Sequence, residues 1–302
     1  MRMNVRATAR LVLLLGLAAT FGMPASAQSG QELLPEQSAA KAKQVLQQTI
    51  AALGGQAYLD VRETDCEGRI AQFGSNGDLM GYTPFHDLWL LPDKNRTEYI
   101  TKGQNTIAGF LMGADGLSIT HGGVLITVFS GEEGWMLDKG GVTNQPDDLV
   151  KTFAEQVKTG MNNMLRLRLN EHGVEYNYAG PDLIDMKEAD WIEFTDSDHR
   201  SMRLAADKNT HLPLRWVVET RDPETRERTD NTIAYTQYIS MDGVKTPLNL
   251  VRSHNGRNVS QTFLASCKYN SSLAPDIFTR ASLDHIAHEV MKKGYKDNNS
   301  SK

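Results

Sequence analysis

The segment VLITVFSGEEGWMLD, Val124 to Asp138, decides the fold because it places two strand patterns around one tight turn. The first strand is apolar on both faces apart from Thr127, and the second begins at Trp135. A strand that is apolar on both faces favours a sheet with a cover on each side. Amphipathic helices would supply one cover, and either a ligand or a loop would supply the other.

Two adjacent carboxylates, Glu132 and Glu133, lie between Gly131 and Gly134 in the middle of this segment. Paired carboxylates can perform acid/base chemistry, but a glycosidase pair must converge on one substrate. Consecutive residues of a strand point to opposite faces, so these two would diverge. Glycines on both sides favour the turn of a β-hairpin instead.

The first 27 residues have the pattern of a secretory signal peptide. Three arginines precede the apolar run LVLLLGLAATFG, and the small residues Ala25-Ser26-Ala27 follow it. We expect cleavage after Ala27. The next residue is Gln28 rather than a cysteine, so no lipid-attachment site follows the cut. The sequence therefore predicts export of a free protein, to the periplasm of a Gram-negative-type cell or beyond.

The charge of the chain argues against two classes of partner. The formal net charge of −5 becomes about −8 once the three arginines of the signal peptide leave. An acidic chain without a basic stripe is a poor nucleic-acid binder. We also find no later apolar run long enough to span a bilayer and no basic amphipathic helix that would bind a membrane surface.

Three helices are predicted by apolar residues at three- and four-residue spacing. The first follows Pro35 and ends at Gly54-Gly55, with one apolar face. The second spans Pro146 to Leu169, with Gly160 bending or dividing it, and the last begins at Ser282. Each amphipathic helix must lay its apolar face against another element.

The remaining chain reads as short strands separated by turn residues without interleaved helices, which predicts an antiparallel meander. A sheet of about ten strands curls, so we expect an α+β fold: a single large curved antiparallel sheet, or unclosed β-barrel, wrapping amphipathic helices. We assign residues 28–295 to one domain and residues 296–302 to a disordered tail. The segment from Gln104 to Gly123 is predicted to be a mobile insertion without fixed structure.

Apolar side chains on these strands and helices form the candidate ligand-binding set. The sharper interpretation is that they line a cavity, and the simpler one is that they are core. The set is Leu46, Ile50, Trp89, Phe129, Trp135, Phe153, Val157, Trp191, Trp216 and Phe263.

Catalytic and metal patterns are weak, so we predict no catalytic residue, no metal and no cofactor. The sequence has no GxSxG nucleophile motif and no phosphate-binding glycine motif. His285 and His288 share a helix face, but the glutamate of an HExxH motif and a third ligand are missing.

The two cysteines, Cys66 and Cys267, fall in strand patterns near the two ends of the domain. They would form a disulfide if those strands were neighbours, and otherwise they would be two buried thiols. Both interpretations stay open at this point. We also predict that Val259, Gln261, Phe263, Ala265 and Cys267 share one strand face.

Several segments resemble the family of periplasmic outer-membrane lipoprotein carriers. The resemblance covers roughly Lys41 to Thr279. It is carried by ALGGQAYLDVRETDCEGRI, FSGEEGWML, YAGPDLIDMKEADWIEFTDSDHRSMRLAADKNTHLPLRW, YISMDGVKTPLNLVRSHNG and LAPDIFT. The resemblance implies an unclosed barrel with a helical lid over a hydrophobic cavity, and no catalytic residues. The family's lid-locking arginine has no local match here.

We therefore expect a non-enzymatic periplasmic carrier or binding protein for an apolar ligand, such as an acyl chain, a lipid or a lipoprotein. The alternative is an envelope sensor or protein-interaction module that binds an envelope partner through Phe110, Leu111 and Met112. A third hypothesis is a hydrolase that uses Glu132 or the histidine pair.

Overall fold

The computed structural model describes residues 33–108, 118–138, 140–221 and 225–289. The helices are α1 Pro35–Leu53, α2 Gln56–Leu59, α3 Asp147–Thr159, α4 Met161–Asn163 with a π-turn at Met164–Arg168, and α5 over residues 280–289. A 3-10 turn, Pro275–Phe278, precedes α5. The strands are β1 Glu63–Phe73, β2 Leu79–Leu90, β3 Lys94–Ala108, β4 Ser118–Ser130, β5 Glu133–Asp138, β6 Gly141–Asn144, β7 Glu175–Ile184, β8 Lys187–Thr195, β9 Ser201–Asp207, β10 Pro213–Arg221, β11 Arg228–Met241, β12 Val244–His254 and β13 Arg257–Tyr269.

One antiparallel sheet contains these 13 strands in the order β6-β5-β4-β3-β2-β1-β13-β12-β11-β10-β9-β8-β7. Strands that are consecutive in the chain are neighbours in the sheet, except for β6 and β7, and β1 pairs with β13 at the centre. The two edges of the sheet are therefore β6 and β7, which follow each other in the chain. The residues between them form α3, α4 and the π-turn, so these helices connect one edge to the other.

A disulfide joins the two central strands. Cys66 and Cys267 are register partners with Cα atoms 4.1 Å apart, and their sulfur atoms are bonded. The bond links residues 201 positions apart in the sequence. The disulfide therefore joins β1 and β13, the first and last strands in the chain.

Contacts of α3 show that the sheet curls. Phe153 stacks on Phe129 of β4 with 4.7 Å between ring centroids, and the carbonyl of Thr159 accepts a hydrogen bond from Trp216 of β10. Strands β4 and β10 are seven strand spacings apart in the sheet order, which would be about 34 Å in a flat sheet. Phe153 and Thr159 are only about 9 Å apart along the helix. One short helix can reach both strands only if the sheet bends around it.

The two faces of the sheet have different covers. The inner face is the face against which α1 and α3 pack, and the outer face is the opposite one. Leu88, Ile126, Val128 and Leu137 lie on the outer face in a cluster with Phe278 of the 3-10 turn and with Leu283 of α5. Strand β4 is therefore apolar on both faces because helical elements cover it on both sides, and this end of the sheet needs neither a ligand nor a loop as its second cover.

Arg96 fastens the C-terminal elements to the outer face. Its guanidinium donates hydrogen bonds to the carbonyl of Ile277 at 3.0 Å and to the Ser282 hydroxyl at 3.2 Å, and pairs with Glu98 at 2.6 Å. The Arg96 side chain is buried, so these bonds replace its hydration. The terminal helix is thus part of the fold rather than an appendage.

Helix α1 follows its predicted bounds and protects an edge strand. The Ser38 hydroxyl accepts a hydrogen bond from the amide of Tyr178 and donates one to its carbonyl, at 3.0 and 3.1 Å. Exposed backbone groups on an edge strand invite pairing with another chain. The serine occupies two such groups on β7.

The sequence interpretation was wrong at two places. The segment from Gln104 to Gly123 is not a separate insertion, because β3 and β4 extend into it and pair Asn105 with His121. On β13, Cys267 and Phe263 lie on opposite faces, because a bulge at Ala265 shifts the register by one residue.

The predicted signal peptide, Phe110 to Met112 and the predicted tail lie outside the described residues. No helix in the described ranges combines the length and the apolar character needed to cross a bilayer.

The disulfide should contribute substantially to stability. We expect the double substitution Cys66→Ser/Cys267→Ser to lower the free energy of unfolding by about 2–5 kcal/mol, because the bond restricts the unfolded chain. Urea unfolding with and without reductant measures this. Reductant should destabilise the wild type and leave the double variant unchanged. Equal stability of the oxidised wild type and the variant would contradict the prediction.

His86 on the outer face lies between two carboxylates. Its ring nitrogens are 2.7 Å from Asp65 and 3.9 Å from Glu98. The carboxylate of Glu98 raises the pKa of His86 to about 9, burial opposes the rise, and the hydrogen bond with Asp65 adds to it. The folded-state pKa lies above the unfolded value of about 6.5, so the protonated histidine stabilises the fold below that pH.

We therefore expect stability to fall as the pH rises from about 6.5 to 9. Because the side chain is about one third exposed, the loss should be about 1–2 kcal/mol. Urea unfolding at several pH values should show this decrease in the free energy of unfolding in the wild type. The control His285→Asn should show it too, because His285 is exposed on α5. In His86→Asn the free energy of unfolding should change little with pH. An unchanged pH dependence in that variant would refute the role of His86.

Candidate functional site on the inner face of the sheet

The largest apolar cluster of the inner face lies under α1. Buried residues of the helix share this cluster with residues of β8 to β12 and of the π-turn. The strand residues alternate in sequence, as expected for one face of a sheet. The buried members are Ala42, Val45, Leu46, Leu53, Tyr58, Val61, Met161, Met164, Leu165, Ile192, Phe194, Met202, Leu204, Ala206, Trp216, Tyr235 and Val244.

A second inner-face cluster lies under α3 and is built around one aromatic stack. Phe153 stands between Phe129 and Trp89, with ring centroids 4.7 and 5.7 Å away. Leu149, Val150 and Val157 of the same helix pack around this stack. Phe153 is completely buried although it belongs to a helix that crosses the mouth of the sheet. It therefore anchors α3 to the inner face.

Helix α3 ends at Gly160, as the sequence predicted. Gly160 has an extended backbone, and a Cβ there would lie 2.8 Å from the carbonyl oxygen of Gln156. A side chain would therefore force the helix end apart, which explains the glycine. The break separates α3 from α4.

Ion pairs join α3 to the β8–β9 turn. Glu155 accepts two hydrogen bonds from Arg200 of the β8–β9 turn, at 2.6 and 3.0 Å. Arg200 and Arg168 both bind the fully buried carboxylate of Asp196, each at 3.1 Å. Burial alone would raise the pKa of Asp196, but hydrogen bonds from Arg200 and Arg168 lower it. We call these four residues the corner cluster.

The inner face also contains polar side chains. The carboxylate of Asp87 accepts hydrogen bonds from Trp89, Asn95 and Thr97 at 2.9, 2.9 and 2.8 Å. Burial raises the pKa of Asp87, and these three donors oppose the rise. The space between sheet and helices is thus not purely apolar. Sequence reasoning missed these residues, because alternation along a strand does not say which face is the inner one.

The predicted ligand-binding residues divide between the two faces. Leu46, Ile50 and Trp216 belong to the cluster under α1, and Trp89, Phe129, Phe153 and Val157 belong to the cluster under α3. Three others lie on the outer face. Trp135 packs with residues of α5, Trp191 lies under the guanidinium of Arg203, and Phe263 is near Tyr82.

The residues considered for catalysis do not converge. The predicted hairpin is confirmed, but its turn consists of Gly131 and Glu132, and β5 begins at Glu133 rather than at Trp135. His285 and His288 are exposed on α5. Within the described ranges, no three His, Cys, Asp or Glu side chains are grouped as metal ligands would be.

A surface cleft of about 600 Å³ lies beside α1 rather than on the inner face. Its walls come from α1, from the segment after the π-turn and from the start of β7. They mix small apolar residues with Lys43, Glu171 and Glu175. None of the predicted ligand-binding residues lines this cleft.

Solved structures that are similar to this chain include three proteins of low sequence identity. A domain named for outer membrane lipoprotein sorting, from Vibrio parahaemolyticus, is 11% identical with a TM-score of 0.49, covering 82% of this chain and 99% of that one. A LolA superfamily protein from Nitrosomonas europaea is 13% identical with a TM-score of 0.44, covering 80% and 99%. A DUF1329 family protein from Desulfovibrio piger is 11% identical with a TM-score of 0.41, covering 80% and 98%.

No protein-family model matches the chain, and no curated protein matches its sequence. The strand order and register of the chain itself establish the fold: one unclosed antiparallel sheet with helices packed against it.

The aromatic stack should be the main apolar anchor of α3. We expect Phe153→Ala to lower the free energy of unfolding by about 3–5 kcal/mol, because it leaves a cavity between two rings. It should also speed hydrogen exchange of the α3 amides. Urea unfolding and exchange measured by mass spectrometry test both effects.

Phe263→Ala is the matched control on the outer face, where the ring is half-buried. It should cost less than half as much and leave exchange in α3 unchanged. Equal effects of the two substitutions would show that Phe153 does not anchor the helix.

Proposed function

We propose that this protein is a non-enzymatic periplasmic carrier or binding protein for an apolar ligand, which binds between the inner face of the sheet and the helices. The ligand class is an acyl chain, a lipid or the acyl part of a lipoprotein. Export by the predicted signal peptide would place the protein in the cell envelope.

The observation that carries this proposal is the attachment of α3. A single helix crosses from one edge of the sheet to the other over an apolar inner face. The described contacts that hold it include the aromatic stack with Leu149, Val150 and Val157 around it. Glu155 and Lys158 form ion pairs with the β8–β9 turn, and the carbonyls of Val157, Lys158 and Thr159 accept hydrogen bonds from Asn163, Arg168 and Trp216. A helix held this way can leave the sheet without breaking strand pairs.

A bound ligand would reduce the free energy needed to move α3 away from the sheet. Lifting α3 would expose Phe129 and Phe153, both completely buried in the closed state. Exposing apolar surface to water costs about 25 cal/mol of free energy per Å². A bound hydrocarbon chain would cover the same surface, so opening with a ligand costs much less than opening without one.

The chemistry of the inner face agrees with binding rather than catalysis. The carboxylate of Asp87 is half-buried, and its oxygens accept hydrogen bonds from three neighbouring residues. A general base needs access to the proton it removes. In this proposal Asp87 therefore has a structural role on the inner face and is not a general base.

A neutral fluorescent probe tests the proposal. N-phenyl-1-naphthylamine should bind protein stripped of lipid by solvent extraction, with saturable fluorescence enhancement and a dissociation constant near the micromolar range, about −8 kcal/mol. Ile233→Trp adds bulk on the inner face, where Ile233 pairs with Trp216. We expect this variant to bind at least about tenfold more weakly.

The matched control is Thr232→Trp, the adjacent residue of β11, whose side chain points to the outer face. It should bind the probe like the wild type. Absence of binding by the folded wild type, or equal weakening by both substitutions, would refute a ligand site on the inner face.

A further inference from the structure

A guanidinium without a protein partner lies on the inner face. Arg252 of β12 pairs in register with Ile233 of β11 and Ser260 of β13. Directly paired residues of antiparallel strands point to the same face, and Ile233 packs against the cluster under α1. Among the described residues, Arg252 forms neither a hydrogen bond nor an ion pair.

Three hydroxyl groups near Arg252 also lack partners among the described residues. Ser260 is completely buried, and its hydroxyl oxygen has no hydrogen bond. Tyr99 and Tyr235 are 3% and 6% exposed, and no described residue binds their hydroxyls. Burial raises the pKa of both tyrosines, and the positive charge of Arg252 opposes the rise in each. The guanidinium is therefore close to both rings.

Unpartnered donors in such a place are costly. A buried polar group without a hydrogen bond, such as the Ser260 hydroxyl, costs about 1–3 kcal/mol of free energy. The half-buried guanidinium of Arg252 loses part of its hydration as well. Burial lowers the pKa of Arg252, which reflects the same loss of hydration. A bound ligand with an acceptor group would stabilise a group of donors of this kind.

The described acid whose charge acts on Arg252 does not fill this role. Asp87 raises the pKa of Arg252 through its charge, so the two groups sense each other, but they form no ion pair. The Asp87 oxygens already accept hydrogen bonds from Trp89, Asn95 and Thr97. The donors of Arg252 consequently stay available to a third group.

We propose that Arg252, with the hydroxyls of Ser260, Tyr99 and Tyr235, binds the anionic head group of an amphiphile whose hydrocarbon chain lies on the apolar inner face. A guanidinium binds a carboxylate or phosphate through two parallel hydrogen bonds, which a neutral head group cannot match. This inference rests on the proposed function and adds the chemical class of the ligand. The head group is a carboxylate or a phosphate monoester.

Displacement of N-phenyl-1-naphthylamine tests the inference at constant chain length. Palmitate and 1-hexadecanol share a sixteen-carbon chain and differ in charge. The wild type should bind palmitate at least about tenfold more tightly than the alcohol, a difference of about 1.4 kcal/mol. Arg252→Gln should remove this preference while it still binds the alcohol, and Arg252→Lys should retain part of it.

Arg69→Gln is the matched control, because Arg69 is exposed on the outer face of β1 opposite Phe263. It should keep the full preference for palmitate. A parallel pair, dodecyl phosphate and laurate, separates the two head-group sources, and the tighter ligand identifies the preferred one.

The outcomes are distinct. Equal binding of palmitate and hexadecanol by the wild type overturns the head-group site and leaves the carrier function intact, and this comparison needs no variant to fold. A preference for palmitate that survives in Arg252→Gln overturns the role of Arg252. If the neutral probe itself does not bind, the proposed function fails first.

Discussion

The pairing of the first strand with the last is the constraint on which the rest of the structure depends. Because β1 and β13 meet at the centre and are joined by the Cys66–Cys267 disulfide, the chain meanders outward on both sides. Its two edges are then consecutive strands, β6 and β7, and the segment between them must bridge the open side of the curl. Helix α3 occupies that position, so it lies over the apolar inner face.

Much of the fold followed from the sequence because its signals are local. Pro35, Gly54 and Gly160 mark helix ends where the structure has them, and the glycines around Glu132 mark the hairpin. The pairing of β1 with β13 is a contact across the whole chain, and alternation cannot reveal it. The bulge at Ala265 was equally invisible, since one extra residue changes the face of every residue beyond it.

The candidate site was only partly predictable for the same reason. Periodicity places residues on two faces of a strand but does not say which face is inside. Seven of the ten predicted apolar residues lie in the clusters under α1 and α3, whereas Trp135, Trp191 and Phe263 lie on the outer face. Aromatic residues were predicted as ligand contacts because their side chains are large. Arg252 was not predicted, because a single arginine in a strand is typical of a solvated face.

Native mass spectrometry of the protein purified from its own cell envelope, without detergent, tests most directly whether the interior holds hydrocarbon. The mass should exceed that of the polypeptide by the mass of one lipid or acyl species, and the excess should disappear under denaturing conditions. Gentle ionisation that yields only the bare polypeptide, from protein that is folded and freshly isolated, would contradict a ligand between the sheet and its helices.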